Sequence, residues 1–199
     1  MEQFETYMQN LKVEDVPWHR LLTAYGRASD FPEYLNTLFE MSHLASIKNA
    51  LNEITSHIEH QSTLWHCTPF AMIFLVHTFK QALSQINQNT CADYIVESLL
   101  DFFMVIAECF HDYNEQYFDD ETEPDTPLSS CSELLLEKYL PPEDYDEEDD
   151  WECLEEDDIL YSFWYYSYAA LLQCKPLLKE LEDTPFQAAA KELEELLYL

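Results

Sequence analysis

The chain has 199 residues, 47% hydrophobic and 15% aromatic, with 40 Asp and Glu against 9 Lys and Arg and a formal charge of −31. That length makes one domain with a sizeable core, and so many aromatics exclude a wholly disordered acidic chain. A field of this sign repels phosphate backbones and anionic lipid and attracts basic proteins, so it argues against direct nucleic-acid or membrane binding.

In chain order, an amphipathic helix is predicted over Glu2 to Leu11, with Phe4, Tyr7, Met8 and Leu11 on one face. A second starts at Pro17 behind Asp15, carries Trp18, Leu21 and Leu22, and stops at Gly26, which suits the left-handed position after a helix end. Asp30 and Pro32 open a short third helix through Leu35 and Leu38 to about Met41. Leu44, Ile47, Leu51, Ile54 and Ile58 step by three and four and mark a one-sided helix ending near His60. Thr68-Pro69 caps the next helix, which runs to about Asn87. Thr90 to Asp93 forms a capping box ahead of a helix through Phe110, apolar nearly all round and therefore expected at the centre.

Residues 112–127 hold seven acidic side chains and two prolines and read as a loop. Ser130 to Glu133 opens a short helix ending at Pro141. Twelve of the 16 residues from Glu143 to Asp158 are acidic, a solvated loop by composition. Asp157 or Asp158 caps an aromatic helix through Leu160, Phe163, Trp164, Tyr168 and Leu171, broken near Pro176, and Thr184-Pro185 caps a final helix to Tyr198. The expectation is a single all-α domain over 1–199, an α-solenoid or compact helical bundle, with acidic loops at 112–129 and 141–158. Residues 1–100 carry a net charge of −6 and residues 101–199 carry −25, which points to the second half for the functional surface.

Gly26 is the one glycine in the chain. Phosphate-cradling loops, nucleophile elbows, dinucleotide fingerprints and primed hairpin turns need backbone that glycine supplies most easily, so those enzyme classes are effectively excluded and tight β-hairpins are disfavoured. Met1 to Glu5 has no basic n-region leading into an apolar stretch, and the longest apolar run, Phe70 to Val76, is too short to span a bilayer. A cytoplasmic protein is expected. Its six cysteines (Cys67, Cys91, Cys109, Cys131, Cys153, Cys174) stand 18 to 24 residues apart without a C-x-x-C pair and read as reduced, buried thiols.

Residues 18–32 read Trp18-x2-Leu21-x2-Ala24-Tyr25-Gly26-x-Ala28-x-Asp30-x-Pro32, and His60-Gln61-x-Thr63 follows ahead of Thr68-Pro69-Phe70. This pattern, from Trp18 to about Leu83, resembles a group of bacterial HEAT-like helical-repeat proteins. The resemblance implies an α-α superhelical fold and protein binding without catalysis, as in immunity or accessory partners of bacterial toxin systems. The acidic second half departs from the shared pattern. In physical terms, Tyr25-Gly26 would end one helix, Asp30 and Pro32 would start the next, and Trp18 would seal the pair. His60 and Gln61 would hydrogen-bond backbone groups freed at an interhelix corner, with Thr63 beside them.

His57, His60 and His66 lie within ten residues, but the i, i+3 spacing of His57 and His60 differs from the i, i+4 pair of a catalytic zinc helix. Asp144, Asp146, Glu148 and Asp150 alternate as in a calcium loop that lacks its glycine. Neither a metal nor a cofactor is expected. The run Tyr161 to Tyr168 can pack Leu160, Phe163, Trp164 and Leu171 inside, but Tyr161, Tyr165, Tyr166 and Tyr168 cannot all share that face. Some tyrosines then face outward or line a groove, as aromatic anchors under an acidic rim would. The candidate partner-binding residues are Glu143, Asp144, Tyr145, Asp146, Glu147, Glu148, Asp149, Asp150, Trp151, Glu155, Glu156, Asp157, Asp158, Tyr161 and Tyr165. The function expected first is that of an immunity protein whose acidic surface neutralises a basic toxin such as a nuclease. A DNA-mimic or anti-nuclease regulator and a helical protein-binding adaptor are the alternatives.

Overall fold

The computed structural model describes residues 2–117, 126–144 and 157–198. Among them the architecture is all-helical apart from two very short hairpins. The helices are α1 (Glu2–Asn10), α2 (Phe31–Glu40), α3 (Leu44–Ile58), α4 (Thr68–Leu83), α5 (Thr90–Tyr117), α6 (Asp157–Leu172) and α7 (Gln187–Leu196). Short 3-10 turns fill much of the rest, at Val13–Asp15, Trp18–Arg20, Cys131–Leu135, Glu137–Tyr139 and Lys175–Leu181.

The centre is α4. Thirteen of its sixteen residues are buried, His77, Lys80 and Gln81 being the exceptions, because Phe70 to Val76 offers no polar side to turn outward. It packs against α2, α3, α5 and α6, so one continuous core joins the two halves of the chain. The expectation that the following helix lies at the centre is corrected. Glu97, Asp101, Val105 and Glu108 on α5 recur every three or four residues and form an exposed stripe. That helix also continues to Tyr117, seven residues beyond Phe110 and into the segment read as an acidic loop.

The predicted helix from Pro17 to Gly26 is a 3-10 turn followed by a hairpin. Leu22–Thr23 (β1) pairs antiparallel with Gly26–Arg27 (β2), and Gly26 takes φ 122°, so the lone glycine serves a strand turn and not a helix end. A second hairpin joins Glu59–His60 (β3) to Thr63–Leu64 (β4) where an interhelix corner is predicted. Its two turn residues, Gln61 and Ser62, both have positive φ (54° and 61°), the primed geometry that suits strand twist even without glycine. The Ser62 amide donates to Glu59 Oε1 at 2.9 Å. The hairpins dock onto the helices through the backbone: the Ala24 amide donates to the His57 carbonyl at 2.9 Å, and the Cys67 amide to the Leu22 carbonyl at 3.1 Å.

Trp18 is 3% exposed, donates its indole N–H to the Val13 carbonyl at 2.8 Å, and packs its ring near Phe31 of α2 and Phe74 of α4. Asp30 stands at the N-cap of α2 with Pro32 in the first turn. The C-terminal helix is locked by Tyr168, whose hydroxyl lies 2.8 Å from the Leu196 carbonyl and 2.6 Å from that of Tyr198 and accepts from the Tyr198 amide at 2.9 Å. His111 Nε2 and Lys175 Nζ add bonds to the Leu196 and Leu197 carbonyls at 2.8 and 2.7 Å. These groups satisfy carbonyls that a helix end leaves without partners. The described cysteines Cys67, Cys91, Cys109, Cys131 and Cys174 are free and buried.

Candidate functional site

The acidic run is attached to the fold by a pair of arginines. Arg20 and Arg27 are the only two arginines of the chain, and both close on the segment from Glu137 to Asp144. Arg20, in the second 3-10 turn, is 7% exposed, and its guanidinium donates through Nε to the Pro141 carbonyl at 2.7 Å and through Nη2 to the Leu140 carbonyl at 3.3 Å. It also grips Glu137 in a two-pronged pair at 2.8 and 2.9 Å. That planar fork is what arginine supplies and lysine does not. Beside Arg20, the Glu137 carboxyl is held below the usual carboxylate range, first by the hydrogen bond and then by the charge.

Arg27 extends the clamp by one step along the chain. Its guanidinium donates to the carbonyls of Pro142 at 2.8 Å, Glu143 at 3.3 Å and Asp144 at 3.5 Å, while bonding the His19 carbonyl at 3.2 Å. The Glu143 carboxylate lies 3.3 Å from His19 Nε2 and 3.6 Å from Arg20 Nη1. The 3-10 turn and the hairpin strand at residues 18–27 thus hold carbonyls and carboxylates more than a hundred residues away, at the root of the acidic run.

Of the candidate partner-binding residues, Glu143 and Asp144 are exposed on that root. Tyr145, Asp146, Glu147, Glu148, Asp149, Asp150, Trp151, Glu155 and Glu156 lie outside the described residues, and Asp157 and Asp158 open α6. Tyr161 is 7% exposed, its ring 5.8 Å from that of Tyr113, and Tyr165 is half-buried. The packing expected for this helix is corrected: Leu160 points outward at 37% exposure, whereas Tyr161, Tyr166 and Tyr168 are buried with Phe163 and Trp164. Phe163, Trp164 and Leu171 are inside as expected, and the tyrosines join them because α6 is enclosed on nearly every side. Tyrosine also enters a core when its hydroxyl finds a carbonyl, as Tyr166 does with Leu128 at 2.5 Å.

The hairpin tips bring Tyr25, His57 and His60 together. Tyr25 is 61% exposed, its hydroxyl shares a 3.0 Å hydrogen bond with His60 Nδ1, and its ring meets both imidazoles edge-on at 5.2 Å. His60 therefore bonds a tyrosine and not a freed backbone group, and Gln61 contributes turn geometry; Thr63 pairs with His60 in the strand ladder. The residue that satisfies the end of α3 is Thr68, whose hydroxyl donates to the Ile58 carbonyl at 2.6 Å, a role its place before Pro69 hid. His66 stands apart, fully buried and stacked on Phe163, with Nε2–H donating to the Leu134 carbonyl at 2.9 Å and Nδ1 unbonded. Burial lowers its pKa to about 4. Among the described residues, no three His, Cys, Asp or Glu side chains converge on a metal-sized site.

No family model, curated protein or solved structure matches the chain. No described helix is long and apolar enough to cross a membrane.

Proposed function

We propose that this chain is a non-catalytic cytoplasmic immunity protein, a compact member of the HEAT-like helical group, that binds and neutralises a basic toxin enzyme through its acidic run. The observation that carries this reading is the double-arginine clamp. In a chain of net charge −31, both arginines hold the backbone at the root of the run, at Leu140 to Asp144. A segment serving only solubility gains nothing from so specific an anchor. A segment presenting carboxylates to a cationic cleft gains from a fixed departure point, because less ordering remains to be done on binding. Electrostatic steering then speeds capture of a basic enzyme, and aromatic side chains within the run slow its release.

The test is capture by the tagged full chain from lysate of its own source at low salt, followed by a salt gradient. One basic enzyme, retained by the wild type, lost with rising salt and inhibited in its own assay, supports the reading. A set of unrelated DNA-binding proteins eluting together replaces it with DNA mimicry, and an empty catch refutes it.

A further inference from the structure

α1, the turn around Cys131 and the middle of α6 enclose a cavity of about 170 Å³. Four of its walls are aromatic: Phe4 and Tyr7 come from α1, Tyr165 and Tyr166 from α6. The Phe4 and Tyr166 rings lie 5.3 Å apart at 48°, and those of Tyr165 and Tyr166 lie 5.1 Å apart at 88°. Gln3, Ser129, Ser130, Cys131, Ser132 and Ala169 complete the lining, with the Ser130 and Ser132 hydroxyls paired at 2.5 Å.

None of the nine Lys and Arg side chains lines this cavity. Glu133 stands beside it, accepting from the Ser129 hydroxyl, and its charge helps to raise the Tyr166 pKa, behind burial and the neighbouring Cys131 and Tyr165. Aromatic faces are negative and attract cations, hydroxyl oxygens accept hydrogen bonds, and an ammonium group carries three donors. An anion would meet a protein of net charge −31 with no cation in the walls. The volume lies well below the roughly 300–1,000 Å³ of sites for drug-sized ligands and suits one side chain.

We infer that this aromatic pocket receives the ammonium group of a single lysine side chain projecting from the basic partner. The identity of that occupant rests on the partner-binding reading above, whereas the preference of the pocket for an ammonium group does not.

The probe is Nα-acetyl-lysine methylamide, titrated into the full chain carrying 13C-labelled tyrosine, with the ε-acetylated compound as the neutral control. The expected result is saturable shifts of the Tyr7, Tyr165 and Tyr166 ring signals. Affinity should be at least tenfold weaker for the control, and tenfold weaker for the probe in Ser132→Lys, which sets an ammonium at the exposed rim without touching the core. Equal affinity for the neutral compound overturns the inference. So do shifts that fail to saturate and spread equally to Tyr25 and Tyr198, which do not line the cavity, or no shifts at all. If capture of a basic enzyme succeeds and Ser132→Lys captures it with unchanged affinity, the pocket inference fails while the function reading stands. Selective binding of the lysine probe with an empty capture has the opposite meaning.

Discussion

Replacing Arg20 by methionine removes the guanidinium but keeps an apolar stem in the same slot, so the loss is mainly that of its hydrogen bonds. Two of them end on carbonyls of buried residues, Pro141 at 2.7 Å and Leu140 at 3.3 Å, which no water would readily replace. The two-pronged pair with Glu137 counts for less, because that carboxylate has 82% of its side chain exposed and is rehydrated when released. Hydrogen bonds from a charged donor are worth about 1.5–3 kcal/mol each and the longer of these is weak, so the substitution should cost about 2–4 kcal/mol. At this chain length that is a fall in Tm of roughly 5–15 °C. Denaturant unfolding measures the free energy, and amide hydrogen exchange should show protection lost first at the root of the acidic run, around Glu137 to Asp144. The control is Glu137→Gln, expected to cost far less. An unfolding midpoint for Arg20→Met equal to wild type, or a loss for Glu137→Gln as large as that for Arg20→Met, would refute the claim that the arginine holds the backbone.

Tyr168→Phe keeps the ring against Phe110 but strips the hydroxyl from the Leu196 and Tyr198 backbone, and should destabilise by about 1–3 kcal/mol in urea unfolding, with the α7 amides exchanging faster. Burial lowers the His66 pKa to about 4 in the folded protein against about 6.5 for a free imidazole side chain, so the unfolded state binds the extra proton first as pH falls. Its contribution is intact above pH 6.5 and declines toward pH 4, by up to about 3 kcal/mol, as a stability difference between wild type and His66→Gln that should narrow over that window. A constant difference across that range would contradict a neutral buried imidazole. Ser62→Gly relieves a positive φ of 61° at the second turn position of the hairpin and should raise stability by about 0.5–1 kcal/mol, whereas a loss would mean that the hydroxyl outweighs the backbone preference.

Local spacing carried much of the fold. The apolar steps from Leu44 to Ile58 and the Asp30–Pro32 start give helices α3 and α2 where the structure has them, and the charge run after Glu143 stands out by composition alone. Helix against strand around Gly26 and Gln61 was not legible in this way. A two-residue ladder has no periodicity to read, and positive φ at Gln61 and Ser62 is stabilised by contacts that sequence spacing does not show. Leu160 and the tyrosines of α6 were misplaced for a related reason: a helix enclosed on nearly every side has no polar face, so tyrosines enter the core wherever a carbonyl such as that of Leu128 or Leu196 meets the hydroxyl.

Composition and spacing by themselves determine that this protein is helical, acidic and anchored on one large core, because those properties sum over residues or repeat along the chain. Only the tertiary structure decided that α4 is the centre, that the sole two arginines reach across more than a hundred residues to the root of the acidic run, and that four rings from α1 and α6 wall one small cavity. Those facts depend on which distant segments meet, and a guanidinium finds its carbonyls, or a ring its neighbour, only after the core has brought them within a few ångströms.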